Sequence, residues 1–443
     1  MAKFQTLSPA RLIILLFFLA VMTGTVLLML PAASSDGQSV TFIDALFTAT
    51  SAVSSTGLTV LNTAEDFSRF GQLTIMILVQ IGGLGFMTLG VLIALVLGKK
   101  IGMRTRLFIQ ASTQSVTGRG LVRLSIYIFS IALVFEIIAA VILSFRFGLG
   151  MPAGDAVYHG VFHSVTAFNN AGFTLFDDTF SPYRDDPFVL YTILTLIIIG
   201  GLGFIVIVDL VQKRKWRQFT LHTKMVLIGS GVLIVFGTFT LFLIELLDIS
   251  PASSGMLKNF ETALFQSVTA RSAGYSTVDI GGLLTPSQFI IIILMFIGAA
   301  SSSTGGGVKV NTMFIIILAA FNTFRGKNSV QFLRRTVPLD AVMRALAVVV
   351  SSVIAVIILT LALSITEGYL ADDFLKVFFE AVSAVSTAGL TTGLTPDLSD
   401  AGKVIVSVAM LLGRLGPLTL AYALARRMKT TKIKYPEEKM LIG

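Results

Sequence analysis

The sequence predicts an all-α membrane protein made of four span–pore-loop–span repeats, with eight transmembrane helices and four half-helices around one pseudo-fourfold pore. Three observations carry that reading. Charged residues are only 13% of the 443 positions, about half the share in a soluble domain, and the mean hydropathy is +0.87. Apolar runs long enough to cross a bilayer recur along the chain. Between paired runs lie four short segments of one pattern, each ending in a glycine.

The spans fall near 11–31, 72–98, 122–146, 188–212, 223–247, 287–320, 342–366 and 402–425. The first resembles a signal peptide, with Lys3 and Arg11 ahead of it and Pro31-Ala32-Ala33-Ser34 after it. Its apolar run of 19 residues exceeds the roughly 7–15 of a signal core, so it is read as a membrane helix. Eight spans put both termini on one side. Most of the 33 Lys and Arg lie before the first span, at 99–123, 213–224 and 325–344, and in the tail at 426–439. The positive-inside rule makes that side cytoplasmic. The opposite side holds Arg69, Arg146, Arg184, Lys258, Arg271, Lys376 and Lys403.

Because charge follows topology, the net charge of +9 does not describe a nucleic-acid face. Outer segments carry Glu65, Asp66, Asp177, Asp178, Asp185, Asp186, Asp372 and Asp373. These acids either concentrate cations at an outer mouth or simply solubilise exposed loops. With no cysteine, disulfides and thiolate metal sites are excluded. His159 and His163 stand four apart with no third ligand nearby, so a metal site is weighed against two partly buried imidazoles.

The repeat is the stronger signal. FTATSAVSSTGL from Phe47, FHSVTAFNNAGF from Phe162, FQSVTARSAGY from Phe265 and FEAVSAVSTAGL from Phe379 align, with Phe-to-Gly spacings of 10, 10, 9 and 10. The second spans repeat too: GGLGF at Gly82, GGLGF at Gly200 and GRLGP at Gly413. The predicted units are 1–108, 109–218, 219–335 with a broken second span, and 336–443 with a cytoplasmic tail.

Backbone that does not span is tolerated at membrane depth only where protein or water satisfies it. A half-helix pointing its C-terminal end inward favours a cation, and carbonyls beyond it can replace hydration water. Glycine reaches positive φ at little cost, which lets those carbonyls face an axis. The expected filter is therefore Ser55, Thr56 and Gly57; Asn170, Ala171 and Gly172; Ser272, Ala273 and Gly274; and Thr387, Ala388 and Gly389. Unlike flanks predict one dominant ion site, at the level of Gly57, Gly172, Gly274 and Gly389.

Residues 287–320 are 34 mostly apolar positions, about 51 Å as one helix and too long for a core of about 30 Å. The centre is polar and glycine-rich: Gly298, Ser301, Ser302, Ser303, Thr304, Gly305, Gly306, Gly307 and Lys309. It reads as a mobile constriction below the third filter segment or as a small-residue packing crossover. Arg414 stands where the first two units have Gly83 and Gly201, and an ionisable group there faces a cavity or a partner: it either hydrogen-bonds the carbonyls of the 298–309 loop or raises an electrostatic barrier to cations. The loop and Arg414 together are the expected gate.

FIDALFTATSAVSSTGL, QIGGLGFMTLGVL, FNNAGF, FQSVTARSAGY and LLGRLGPLT resemble the motifs of the Trk/Ktr/HKT superfamily of potassium transporters. The chain is most similar to the bacterial Ktr membrane subunits (KtrB/KtrD type) over nearly its whole length, without the two extra N-terminal helices of Trk subunits. The resemblance implies a cell-membrane homodimer with a K+ pore in each protomer and no enzymatic activity. It also implies a cytoplasmic RCK-type nucleotide-binding ring as partner and Na+ as an activator of uptake, with the basic loops and 426–443 as docking surfaces. No cofactor is expected in this chain, and no nucleotide-binding glycine motif is present. Gly57, where sodium-preferring plant relatives carry Ser, implies K+ at the four glycines. The gate loop is richer in glycine than the family pattern.

Three alternatives stand beside this reading. A secondary transporter would show inverted repeats and membrane-embedded acids; these repeats run in one orientation, and Glu136 and Glu245 are placed toward outer span ends. A membrane enzyme would need a clustered nucleophile, base or metal site. A sodium-preferring or non-selective cation channel of the same architecture is the nearest rival.

Overall fold

The computed structural model describes residues 9–85, 121–247, 255–327, 329–368 and 373–416. In the first repeat, a long apolar helix α1 (Pro9–Leu28) leads to the short α2 (Phe42–Ser54) and then α3 (Arg69–Leu84). The second has α4 (Leu121–Phe147), α5 (Ala153–Phe168), α6 (Pro187–Leu202) and α7 (Phe204–Gln212). The third has α8 (Leu221–Leu247), α9 (Met256–Thr269), α10 (Thr285–Phe296) and α11 (Val310–Phe324). The fourth has α12 (Leu339–Thr366), α13 (Phe374–Ser386) and α14 (Asp400–Leu415). A two-residue hairpin, β1 (Gln331–Phe332) with β2 (Arg335–Thr336), joins α11 to α12.

Local chemistry sets the helix starts. Ser68, Asp186 and Ser399 cap α3, α6 and α14 by accepting the N–H of Gly71, of Phe188 and Val189, and of Gly402. Thr41 caps α2 through the Asp44 N–H. At 13–16 residues, α2, α5, α9 and α13 are about 20–24 Å long, short of a full crossing.

The packing follows one rule around the molecule. Each opening helix lies on its own short helix, and each second helix lies on the short helix of the next repeat: α3 on α5, α6 on α9, α10 on α13 and α14 on α2. The cores interlock in the same sense. Phe162 joins the α1–α3 cluster, Phe265 the α4–α6 cluster, Phe379 the α8–α10 cluster and Phe47 the α12–α14 cluster. All four phenylalanines are 0% exposed. The ring is closed by a repeat completing its neighbour's core.

Ion pairs reinforce three of those seams. Arg69 meets Asp155 at 2.6 Å, Lys258 meets Asp185 at 2.8 Å and Lys403 meets Asp44 at 2.7 Å. The Lys258 hydrogen bond holds the Asp185 carboxyl below the usual carboxylate range. The first two pairs are exposed and weakly stabilising. Lys403 and Asp44 are only 15% and 16% exposed.

The second span of the second repeat differs from the continuous helix expected over 188–212. Residues 188–212 form two helices bent by 94°, because Gly203, at φ 89 and ψ 136, takes a conformation no L-residue tolerates well. α3 and α14 stop at the matching glycines, Gly85 (φ 81) and Gly416 (φ 76). The third second span breaks over a full loop between α10 and α11. Among the described residues, four single helices are long and apolar enough to cross a membrane, or five elements if α6 and α7 count as one. The distal parts of the 72–98 and 402–425 spans, Phe86, Pro417, Asp372, the 99–119 basic loop and the 426–443 tail lie outside the described residues.

The Lys403–Asp44 pair seals the seam between the last repeat and the first. Lys403→Met should lower the midpoint of thermal unfolding in detergent by several degrees, with a cost of about 1–3 kcal/mol. In a double-mutant cycle with Asp44→Asn the costs should not add. Strict additivity would show that the pair does not couple the two repeats.

Candidate functional site: a ring of four glycines and the loop packed against it

The short helices end alike. In α2, α5 and α13 the last turn closes through Thr56 N–H to Ser51 O (2.9 Å), Ala171 N–H to Thr166 O (3.0 Å) and Ala388 N–H to Ser383 O (2.8 Å). One residue earlier, Ser55, Asn170 and Thr387 sit at φ 51, 52 and 47. This is the left-handed helix stop usually given to glycine, here imposed on residues with side chains. The third loop is one residue shorter. It closes instead from Ala273 N–H to Thr269 O at 2.9 Å, one position nearer, with Ser272 at φ 81.

Two residues further on stand Gly57, Gly172, Gly274 and Gly389, at φ 94, 71, 78 and 84. Positive φ at every second residue turns successive carbonyls toward one side, where a strand would alternate them. The glycines also touch in sequence order around an axis. A methyl on Gly57 would lie 2.6 Å from Ala171 O and 2.8 Å from Gly172 Cα. On Gly172 it would lie 2.9 Å from Gly57 Cα and 3.1 Å from Ala273 O, and on Gly274 3.1 Å from both Ala388 O and Gly389 Cα. On Gly389 it would run into Thr56 O. The ring is closed, and each glycine faces a carbonyl from an adjoining loop. All twelve residues expected to form the filter are therefore at this ring or directly beneath it.

Outside the ring opens a cavity of 510 Å³, lined in part by the four glycines and by Asp177, Asp178 and Asp279. The first two are among the outer acids for which a mouth and a solubilising role stood side by side; Asp279 was not singled out. Among the described residues the two histidines meet no further metal ligand. His163 Nδ1 bonds His159 O at 2.8 Å and its Nε2 accepts the Leu175 N–H at 3.1 Å, so both ring nitrogens are engaged.

Two charged groups are buried within the protein. Glu136, expected near an outer span end, is 5% exposed and accepts from Gln80 Nε2 at 3.1 Å and Asn169 Nδ2 at 3.4 Å, directly behind the second loop. Arg271, counted with the outer charges, is 9% exposed and donates to Ser230 Oγ at 3.1 Å.

Below the ring, residues 297–309 fold into a loop. Its neck is held by Gly298 N–H to Val308 O (3.0 Å) and Val310 N–H to Ala299 O (3.2 Å). Its crown caps helix ends. Ala300 and Thr304 donate their N–H groups to Gly201 O (3.0 Å) and Gly200 O (3.2 Å), and Thr304 Oγ1 donates to Phe168 O (3.1 Å). Ser302 O accepts the Phe204 N–H at 2.8 Å, beyond the Gly203 bend. Ser301 bonds Asn311, Ser303 bonds Ala300 O, and Lys309 Nζ donates to Gly305 O at 2.7 Å.

The loop also touches the segments that carry the ring. Gly306 donates its N–H to Ser272 Oγ at 2.8 Å, and that hydroxyl donates to Thr387 O at 2.9 Å. A methyl on Gly305 would lie 2.6 Å from Ala299 Cβ, and one on Gly306 would overlap Thr387 Oγ1. Arg414 spans the remaining gap: one nitrogen donates to Thr304 O and the other to Gly82 O, at 2.5 Å for the second. A guanidinium from the fourth repeat thus ties the loop of the third to the second helix of the first. The receiving carbonyls of Gly82, Gly200 and Gly201 were not singled out in the sequence; their signal was the repeated GGLG, whose last glycine ends each helix.

Residues 12–434 match the TrkH family, described as cation transport proteins. Ktr system potassium uptake protein B from Bacillus subtilis (strain 168) is 39% identical over 100% of this chain and 98% of its own. The protein of the same name from Vibrio alginolyticus is 42% identical, covering 98% and 94%. Potassium/sodium uptake protein NtpJ from Enterococcus hirae is 37% identical, covering 99% and 98%. The crystal structure of the potassium transporter TrkH from Vibrio parahaemolyticus has a TM-score of 0.76 at 21% identity over 96% of this chain and 86% of that one, a likeness of fold.

Gly389→Ala places a methyl against Thr56 O at a strained φ. Cation flux through reconstituted protein should fall at least about tenfold, since one unit of 1.4 kcal/mol suffices for that, while the chain still assembles. Wild-type flux in this variant would show that the ring is not on the ion path.

Proposed function

The chain belongs to the TrkH family of cation transport proteins, and on that premise we propose that it is the ion-translocating membrane subunit of a potassium uptake system. The observation that carries this reading is the closed ring of Gly57, Gly172, Gly274 and Gly389, each facing a carbonyl of an adjoining loop. Such a ring offers oxygens in place of hydration water and leaves no room for a side chain. K+ is the cargo in this reading, held at one dominant site, and the names of the Bacillus and Vibrio relatives support it.

The loop at 297–309 with Arg414 is the gate. Its support is its place below the ring and its bonds to Ser272, Thr304 O and Gly82 O. The four units divide at 108, 218 and 335. The protein works as a homodimer in the cell membrane with both termini cytoplasmic, regulated by an RCK-type nucleotide-binding ring, and Na+ promotes uptake. These last features rest on the family resemblance and on the distribution of basic residues. A sodium-preferring or non-selective pathway is the second reading, favoured by the name of the Enterococcus relative, a potassium/sodium uptake protein.

Expression in a cell lacking potassium uptake should restore growth at low potassium, more strongly with an RCK-type partner present. Rescue by sodium alone, or none in either condition, would overturn the proposal. Separately, shortening 301–307 or replacing Arg414 with Gln should raise K+ flux, because either change removes the bonds that hold the loop under the ring. Unchanged flux in both variants would remove the gate from the account.

A further inference from the structure

The ring is held from behind, and the holding groups differ between repeats. The residue after each interlocking phenylalanine occupies one register in all four short helices: Thr48, His163, Gln266 and Glu380. They are 1%, 0%, 2% and 0% exposed. Three of them reach the chain just past their filter glycine. His163 Nε2 accepts the Leu175 N–H at 3.1 Å, and Gln266 Nε2 donates to Ser276 Oγ at 2.9 Å. The Glu380 carboxyl accepts from Thr391 Oγ1 at 2.9 Å and from Thr395 Oγ1 as well. The Thr48 hydroxyl is buried without a partner. The first loop is held one turn later instead, by Ser51 Oγ accepting the Gly57 N–H at 3.1 Å.

We propose that this register determines specificity, and that Glu380 is its main positioning residue, clasping the fourth loop at the width K+ requires. The inference rests on the K+ pathway reading above. Preferring a larger ion over a smaller one needs carbonyls that resist closing around the smaller. The seam between the fourth loop and the first is where that resistance is most needed. There Gly389 packs on Thr56 O, and the first loop has no link past its glycine from Thr48. Glu380, the one member of the register that takes two hydroxyls, stands on the other side of that seam. The plain alternative is that Glu380 only helps the chain fold.

The test compares K+ and Na+ uptake by vesicles containing the full chain, for wild type, Glu380→Ala, Glu380→Gln and the pair Thr391→Val with Thr395→Val. In Glu380→Ala the preference for K+ over Na+ should fall about tenfold, as it would if one buried hydrogen bond's cost of about 1.4 kcal/mol were passed on to the ring. The half-saturating Na+ concentration should drop while the maximal K+ rate stays near wild type. Glu380→Gln should recover most of the preference, since its amide can accept one hydroxyl and donate to the other. The threonine pair should reproduce the alanine phenotype, and combining it with Glu380→Ala should add little.

Variants that melt like wild type and keep its K+/Na+ preference would overturn the inference. If Glu380→Ala does not assemble, the threonine pair, which leaves the helix intact, decides by the same criterion. A wild type that takes up no K+ sinks the pathway reading and this inference together. A K+-preferring wild type whose variants are unchanged sinks this inference alone.

Discussion

Phe47, Phe162, Phe265 and Phe379 each enter the apolar core of the neighbouring repeat, and the position of every ring-forming loop follows from that insertion. Between membrane helices such an insertion stabilises by close packing rather than by removal from water, and it sets each short helix against its neighbour. Ten residues later in three repeats, and nine in the third, the chain reaches the axis as glycine. Fold stability and ring geometry are therefore not separate properties. A cavity at any of the four phenylalanines would also release a wall of the ring.

The broken second helices give the centre its chemistry. An α-helix leaves its last carbonyls without intrahelical partners. Gly82, Gly200 and Gly201 carry such carbonyls, as does Phe168 at the end of α5. The 297–309 loop and Arg414 supply the donors that satisfy them. Continuous helices would have consumed those carbonyls internally, leaving the loop nothing to hold. The bend at Gly203 and the stops at Gly85 and Gly416 create the attachment points.

Much of this was legible in the sequence because a repeat records one constraint four times. The Phe-to-Gly spacing located the short helices and the ring, and the third spacing of 9 anticipated a loop that closes one residue nearer. The bend between α6 and α7 was not legible. Apolar residues continue across Gly203, and hydropathy is blind to one positive φ. The burial of Glu136 and Arg271 was not legible for a related reason: sequence position does not show the amide and hydroxyl partners on other helices that let both be buried. Arg414 stood out because a guanidinium replaced a glycine in an otherwise repeated motif; its bond to a carbonyl of the 298–309 loop was legible, whereas its second acceptor, Gly82 O in the first repeat, was not.

The ring is encoded by one gene segment for each wall. A pore of four identical subunits can change a wall only by changing all of them at once, so each inherited step is large and symmetric. Here a single codon alters one quarter of the ring and leaves three quarters as they were. Thr48, His163, Gln266 and Glu380 already show that the walls have diverged at one shared register. Ion preference in such a chain can drift in small increments, which suits a protein whose relatives carry both potassium and potassium/sodium in their names.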